Sequence, residues 1–214
     1  MADTNLTWLV FLLDRSGSMQ SIKSDVVGGF DAFLAEQRAG EGHCVVTLAQ
    51  FDHEYQVVYS GLPLDQVPPL ALAPRGNTAL LDSMGTLITG TAAQIEALPE
   101  ADRPGTVVVA IMTDGHENAS REWRRPDIKA LVEQQTDGHG WEFLYMGTDQ
   151  DAVEVGRGLG VKDGKAVTYA RGKSREAMIA AAGNVRNYRT AKLANANAAM
   201  PDFSDAQRES LREE

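Results

Sequence analysis

Residues 14–18 read Asp14-Arg15-Ser16-Gly17-Ser18. The D-x-S-x-S spacing places one carboxylate and two hydroxyls on a single turn. All three are hard oxygen donors, the kind that Mg²⁺, Ca²⁺ and Mn²⁺ prefer. Two further oxygen donors occupy comparable places: Thr78 in Arg75-Gly76-Asn77-Thr78, and Asp114 in Thr113-Asp114-Gly115. Taken singly, each has a plainer use. Ser18 or Ser21 would cap a helix, and Asp114-Gly115 would make a turn. Asp149 ends a later strand and reads as a turn or cap residue, or as one that tunes a metal. His116 and Glu117, just past Asp114, read as rim residues. His43, His53 and His139 lack metal-ligand spacing.

Other chemistries find less support. No G-x-S-x-G elbow surrounds either serine, and no P-loop is present. Gly156-Arg157-Gly158-Leu159-Gly160 is glycine-rich but is not G-x-G-x-x-G, and a dinucleotide fingerprint belongs to the first strand–helix turn. Asp14-Arg15-Ser16 shares only its first residue with an aspartyl-phosphatase loop, whose second acid is replaced here by Ser16. The chain has 214 residues with 20 Lys+Arg against 30 Asp+Glu, a net charge of -10. That balance argues against non-specific nucleic-acid binding and against anionic membrane surfaces. The single cysteine, Cys44, excludes an internal disulfide and reads as a buried thiol. The apolar run at residues 6–13 falls short of the ~20 residues of a membrane span. No signal-peptide cleavage pattern follows it, so the expected location is the cytoplasm.

The elements that must position these residues follow from periodicity. Residues 6–13 form a continuous apolar run that reads as a fully buried strand, with the D-x-S-x-S turn at its end. Ile22, Val26, Val27, Phe30, Phe33 and Leu34 recur at helical spacing and predict a helix to about Arg38. Strands are expected at residues 43–51 and 55–60. The turn Asp52-His53-Glu54 between them is short enough to require antiparallel pairing. A proline-rich loop, residues 61–76, leads to a helix over 80–98. The buried strand 106–112 ends at Thr113-Asp114-Gly115, and a helix beginning at Pro126 runs to about Gln135. A strand over 141–146, a short helix over 151–159 and a last strand over 165–169 complete the alternation. Ser174 is placed to cap an alanine-rich helix to about Ala194, and Ser204-Asp205-Ala206-Gln207 is a capping box for a final short helix. Strands alternating with helices predict an α/β, Rossmann-like doubly wound fold. Its six-stranded sheet would be mostly parallel with one antiparallel edge strand, and helices would cover both faces. In such sheets ligands bind beyond the carboxyl ends of the strands.

Together, Asp14, Ser16, Ser18, Thr78 and Asp114 resemble the metal-ion-dependent adhesion site of the von Willebrand factor A family, in order and without substitution. The resemblance covers about residues 5–170. It implies a domain at residues 1–172, with residues 173–214 a helical extension that packs partly on the core or binds a partner. It also implies a divalent cation, Mg²⁺ with Mn²⁺ or Ca²⁺ as alternatives. Ser16 and Ser18 would bind it directly, and Thr78 and the two aspartates directly or through water. The ion would then accept a carboxylate from a partner protein. The chain is similar to stand-alone bacterial or phage members that act as intracellular adaptors, some beside AAA+ ATPases or assembly components. The expected function is therefore a non-enzymatic, metal-dependent protein-binding module. A metal-dependent hydrolase, such as a phosphatase, and a structural component with a purely stabilising metal are the alternatives.

Overall fold

The computed structural model describes residues 2–148 and 151–212. Six strands form one sheet: β1 (Asp3–Asp14), β2 (His43–Phe51), β3 (Tyr55–Pro63), β4 (Pro104–Thr113), β5 (Glu142–Gly147) and β6 (Ala166–Thr168). Their spatial order is β3-β2-β1-β4-β5-β6. Every neighbouring pair is parallel except β2–β3, the expected antiparallel edge. Among the described residues, six α-helices accompany them: α1 (Lys23–Arg38), α2 (Leu80–Ala97), α3 (Arg125–His139), α4 (Ala152–Gly158), α5 (Ser174–Ala194) and α6 (Asp205–Arg212).

The uninterrupted apolar run of β1 has a simple cause. Side chains alternate between the two faces of a strand, and here both faces are covered. Leu9, Phe11 and Leu13 enter one core with α1 and α5, whereas Trp8, Val10 and Leu12 enter a second core with α2, α3 and α4. Phe11 meets Phe30 and Phe33 of α1 edge-on, each at 4.9 Å between ring centres. β4 alternates in the same way, with Val108, Ala110 and Met112 on one side and Val107, Val109 and Ile111 on the other. Helix α5 buries Ala177, Met178, Ala181 and Val185 in the first core. Its close approach to α1 depends on Gly29, where a Cβ would lie 3.0 Å from both Arg175 and Met178.

Several local expectations are corrected. Neither Ser18 nor Ser21 caps α1: a 3-10 turn over Gly17–Ser21 intervenes, and α1 begins after Ile22 without a side-chain cap. Ser174 does not cap α5; the cap position is Lys173, without a side-chain bond. Helix α3 runs past Gln135 to His139, because its backbone ladder persists until Gly140 takes the left-handed conformation at φ 67°. The segment at residues 203–212 is anchored to the β6 edge. Ser204 and Gln207 form the expected capping box, and Leu211 is buried. The Arg208 guanidinium donates to the carbonyls of Phe203, Ala166 and Asp163 at 3.1, 2.8 and 3.0 Å. Among the described residues, no helix is long and apolar enough to cross a membrane.

Candidate metal centre

The strand order brings the key loops together. β1 and β4 are adjacent and parallel, with Leu13 opposite Met112. Asp14 and Thr113 therefore end their strands side by side, and Asp114 follows at the same sheet edge. The Asp14 side chain is wholly buried. Its Oδ1 accepts the Ser16 N–H at 2.6 Å, and its Oδ2 accepts the Thr113 hydroxyl at 2.6 Å. Ser16 Oγ and Ser18 Oγ lie 3.1 Å apart, and the Ser18 hydroxyl donates to Asp114 Oδ1 at 2.6 Å. This last bond explains why Ser18 caps no helix. Thr78 borders the same space: a Cβ on Gly115 would sit 3.3 Å from Thr78 Oγ1 and 3.8 Å from Ser18 Oγ. All five residues named from the sequence thus gather at one sheet edge, in a cradle that a side chain at position 115 would fill. Asp149 lies outside the described residues.

The chemistry of this donor set suits a hard divalent cation. Neighbouring oxygens around an octahedral ion with bonds of ~2.1 Å lie ~3 Å apart, close to the Ser16–Ser18 spacing. Burial pushes the Asp14 carboxyl up to about 6, against the lowering effect of its Thr113 and Ser16 hydrogen bonds, and the Asp114 charge raises it further. Two buried carboxylates beside two neutral hydroxyls form a site whose electrostatics a cation would relieve.

The loop after β4 fixes the position of Thr78. The Thr78 N–H donates to Asn118 Oδ1 at 2.9 Å, and Asn118 N–H returns to the Thr78 carbonyl at 3.0 Å. Glu117, expected at the rim, is turned inward. One of its oxygens accepts the Leu81 N–H at 2.9 Å, and the other accepts those of Ala119 and Ser120. Ser120 Oγ accepts the Asp82 N–H at 3.1 Å, so this loop satisfies two of the orphan amides that open α2. Asp82 reciprocates by accepting the N–H groups of Arg121, Glu122 and Trp123 at 2.7, 2.9 and 2.8 Å. The Trp123 ring lies against Gly85, where a Cβ would come within 2.2 Å of it. A largely polar cavity of about 600 Å³, lined by His53, Asn77, Asn118 and Arg121 among others, adjoins Thr78.

A second acidic group stands nearby. Asp52, His53 and Glu54 each offer a ligand atom within 4.8 Å of the others. Asp52 is poorly disposed to bind a metal, because Arg15 and Arg75 donate to its Oδ2 at 3.0 and 2.8 Å and the Glu54 N–H to its Oδ1 at 2.7 Å. In the sequence this triplet reads only as a turn, which hides the buried carboxylate. The available signal was its position at the end of a strand expected in the same sheet as β1.

No family model matches the chain, and no curated protein matches it in sequence. Solved structures do match. The von Willebrand factor type A protein from Catenulispora acidiphila superposes with a TM-score of 0.55 at 14% identity, over 84% of this chain and 42% of that one. The ArnB paralog VWA2 from Sulfolobus acidocaldarius gives 0.53 at 14% identity, over 82% and 44%. The vWF domain of the type V pili tip protein Mfa5 from Porphyromonas gingivalis gives 0.56 at 12% identity, over 85% and 95%. The matched region of this chain accounts for less than half the length of the first two proteins and nearly all of the third.

Proposed function

On the von Willebrand factor A fold that this chain adopts, we propose a metal-dependent protein-binding module. Ser16 and Ser18 hold a divalent cation with help from Thr78, Asp14 and Asp114, and the ion takes up a carboxylate from a partner protein. Mg²⁺ is the first candidate, since every donor is a hard oxygen; Mn²⁺ and Ca²⁺ are the alternatives. The observation that carries the reading is the convergence of three loops: two seryl hydroxyls stand 3.1 Å apart, and one of them is 2.6 Å from Asp114.

Binding is favoured over hydrolysis because each Asp14 oxygen already accepts a short hydrogen bond. That carboxylate is wholly buried behind these donors, whereas a nucleophile must be reached by its substrate. A bound cation left with most of its charge retains affinity for an anionic ligand. The partner we propose is a protein with an exposed acidic side chain, such as an AAA+ ATPase or another assembly component, met in the cytoplasm. The test is affinity capture from native lysate in Mg²⁺ and in EDTA, with wild type and Asp14→Ala. A partner retained only by wild type with metal supports the reading. A partner retained equally in all four conditions removes the metal from the interface. Turnover of a phosphate ester that depends on Mg²⁺ and Asp14 would replace the module with a hydrolase.

A further inference from the structure

Asp52 belongs to none of the loops that carry the five oxygen donors, yet it touches the supports of two of them. Its carboxylate is wholly buried. Arg15, which donates to it, sits between Asp14 and Ser16 in the chain. Arg75, which also donates to it, opens the segment that ends in Thr78. The backbone of Asp52 takes part as well, since its carbonyl accepts the Ala79 N–H at 2.8 Å. Beside it, Phe51 O accepts the Arg15 N–H at 2.7 Å. The two loops are also joined to each other. Arg75 N–H donates to the Arg15 carbonyl at 2.7 Å, and Gly17 N–H donates to the Gly76 carbonyl at 3.1 Å. Gly76 takes φ 68° and lies so close to His53 that a Cβ would fall 2.2 Å from its Nδ1. The end of β2 is therefore the common anchor of both loops.

We infer that Asp52 is the positioning residue of the metal centre: by gripping Arg15 and Arg75 through one buried carboxylate oxygen, it sets the separation between the Ser16–Ser18 hydroxyls and Thr78. This rests on the metal reading above. The carboxylate is suited to the task. Burial alone would raise its pKa, but the Glu54 N–H, the Arg75 side chain and the Arg15 charge hold it below the usual carboxylate range, so it stays ionised at neutral pH. The ionised form accepts charge-assisted hydrogen bonds, which are shorter and roughly twice as strong as neutral ones. Glu54 takes the outer face of Arg75 at 2.5 Å, and Gln56 takes Arg15 at 2.5 Å. Both guanidiniums are thus held against β2 and β3.

The test is Mn²⁺ affinity by titration calorimetry, with melting followed by circular dichroism, on wild type and four variants. Asp52→Asn is expected to weaken Mn²⁺ binding by about 10–100-fold, the usual effect of removing a group that orients ligands. Arg75 is half exposed, and Arg75→Gln leaves the buried Asp52 carboxylate still paired with Arg15 and the Glu54 N–H, so this variant should fold even if Asp52→Asn does not. It also separates two explanations. Removing a positive charge should tighten cation binding if the effect is one of field alone, whereas loss of the tether should weaken it, by about 3-fold or more on the same scale. His53→Ala is expected to stay within about 2-fold of wild type, since its side chain donates to neither arginine, and Glu54→Gln, which loosens only the outer hold on Arg75, is expected to weaken binding less than Asp52→Asn does. Unchanged affinity in Asp52→Asn, or equal or tighter binding in Arg75→Gln, overturns the inference alone. Loss of binding in His53→Ala and Glu54→Gln as well as in Asp52→Asn would put the ion on that triplet and overturn it too. A wild type that binds no divalent cation overturns the metal reading and this inference with it.

Discussion

Asp14→Asn should make the metal-free protein more stable while destroying its affinity for metal. The reason lies in the cost of keeping Asp14 ionised. Burial lifts its folded-state pKa from 3.8 to about 6. A tenfold change in a proton-binding constant is worth about 1.4 kcal/mol, so ionisation at pH 7 costs the folded state about 3 kcal/mol. For a carboxyl whose folded pKa is raised, the cost is complete above the folded pKa and disappears below the unfolded one. Metal-free wild type should therefore gain stability as the pH falls from about 6 toward 4, as far as this group is concerned. Asparagine removes the charge. Its carbonyl can still accept the Ser16 N–H; the Thr113 hydroxyl exchanges its charge-assisted bond for the weaker one to the Gly115 carbonyl at 3.2 Å, which gives back about 1 kcal/mol. A net gain of about 2 kcal/mol corresponds to a rise in Tm of roughly 5 °C for a chain of this size. The assay is a circular-dichroism melt in EDTA at pH 7.5 and again at pH 4. The variant should melt higher at pH 7.5, and the gap should close at pH 4. In Mg²⁺ at about 100 times its Kd, wild type should gain about 2.7 kcal/mol and overtake the variant. A variant that melts below wild type in EDTA at pH 7.5 would refute the reasoning, because Asp14 would then be a net stabilising charge.

Three further outcomes are expected. Gly85→Ala, a change that normally strengthens a helix, should instead destabilise the protein by about 1–3 kcal/mol, because its methyl displaces the Trp123 ring; a denaturant melt with tryptophan fluorescence reads both effects. The three N–H groups that Asp82 accepts hold its carboxyl below the usual range despite the opposing effect of its burial. Its contribution is present above the unfolded pKa of about 4 and is lost as the pH falls through the folded value, so Asp82→Asn should lower Tm at neutral pH and converge with wild type in acid. Arg208→Ala should release α6 from the β6 edge, exposing residues 200–212 to limited proteolysis while the rest of the domain resists.

The sheet, and the edge at which Asp14, Ser16, Ser18 and Asp114 gather, were legible in the sequence for one physical reason. A strand buried on both faces must be apolar throughout, so the first polar residues after β1 and β4 mark where those strands emerge. Parallel neighbours emerge at the same edge, which brings Asp14 and Asp114 together without any local signal linking them. What could not be read depends on contacts between distant segments. Ser18 is a sound cap by residue type, but Asp114, 96 positions away, takes its hydroxyl. Glu117 looks like an exposed acid until α2 is seen to present its free amides to it. Asp52 sits in a turn that any hairpin could carry; its burial follows only once β2 lies beside β1 and Arg15 and Arg75 close over it. The full extent of α3 is hidden because its last turn is polar, and Gly140 rather than composition ends it.

The most direct test of the metal centre is the anomalous difference density of a Mn²⁺-soaked crystal. One peak is expected between Ser16 Oγ, Ser18 Oγ and Asp114, within reach of Thr78. A peak beside His53 and Glu54, or none at Mn²⁺ concentrations that saturate the protein in solution, would contradict a metal centre at these loops.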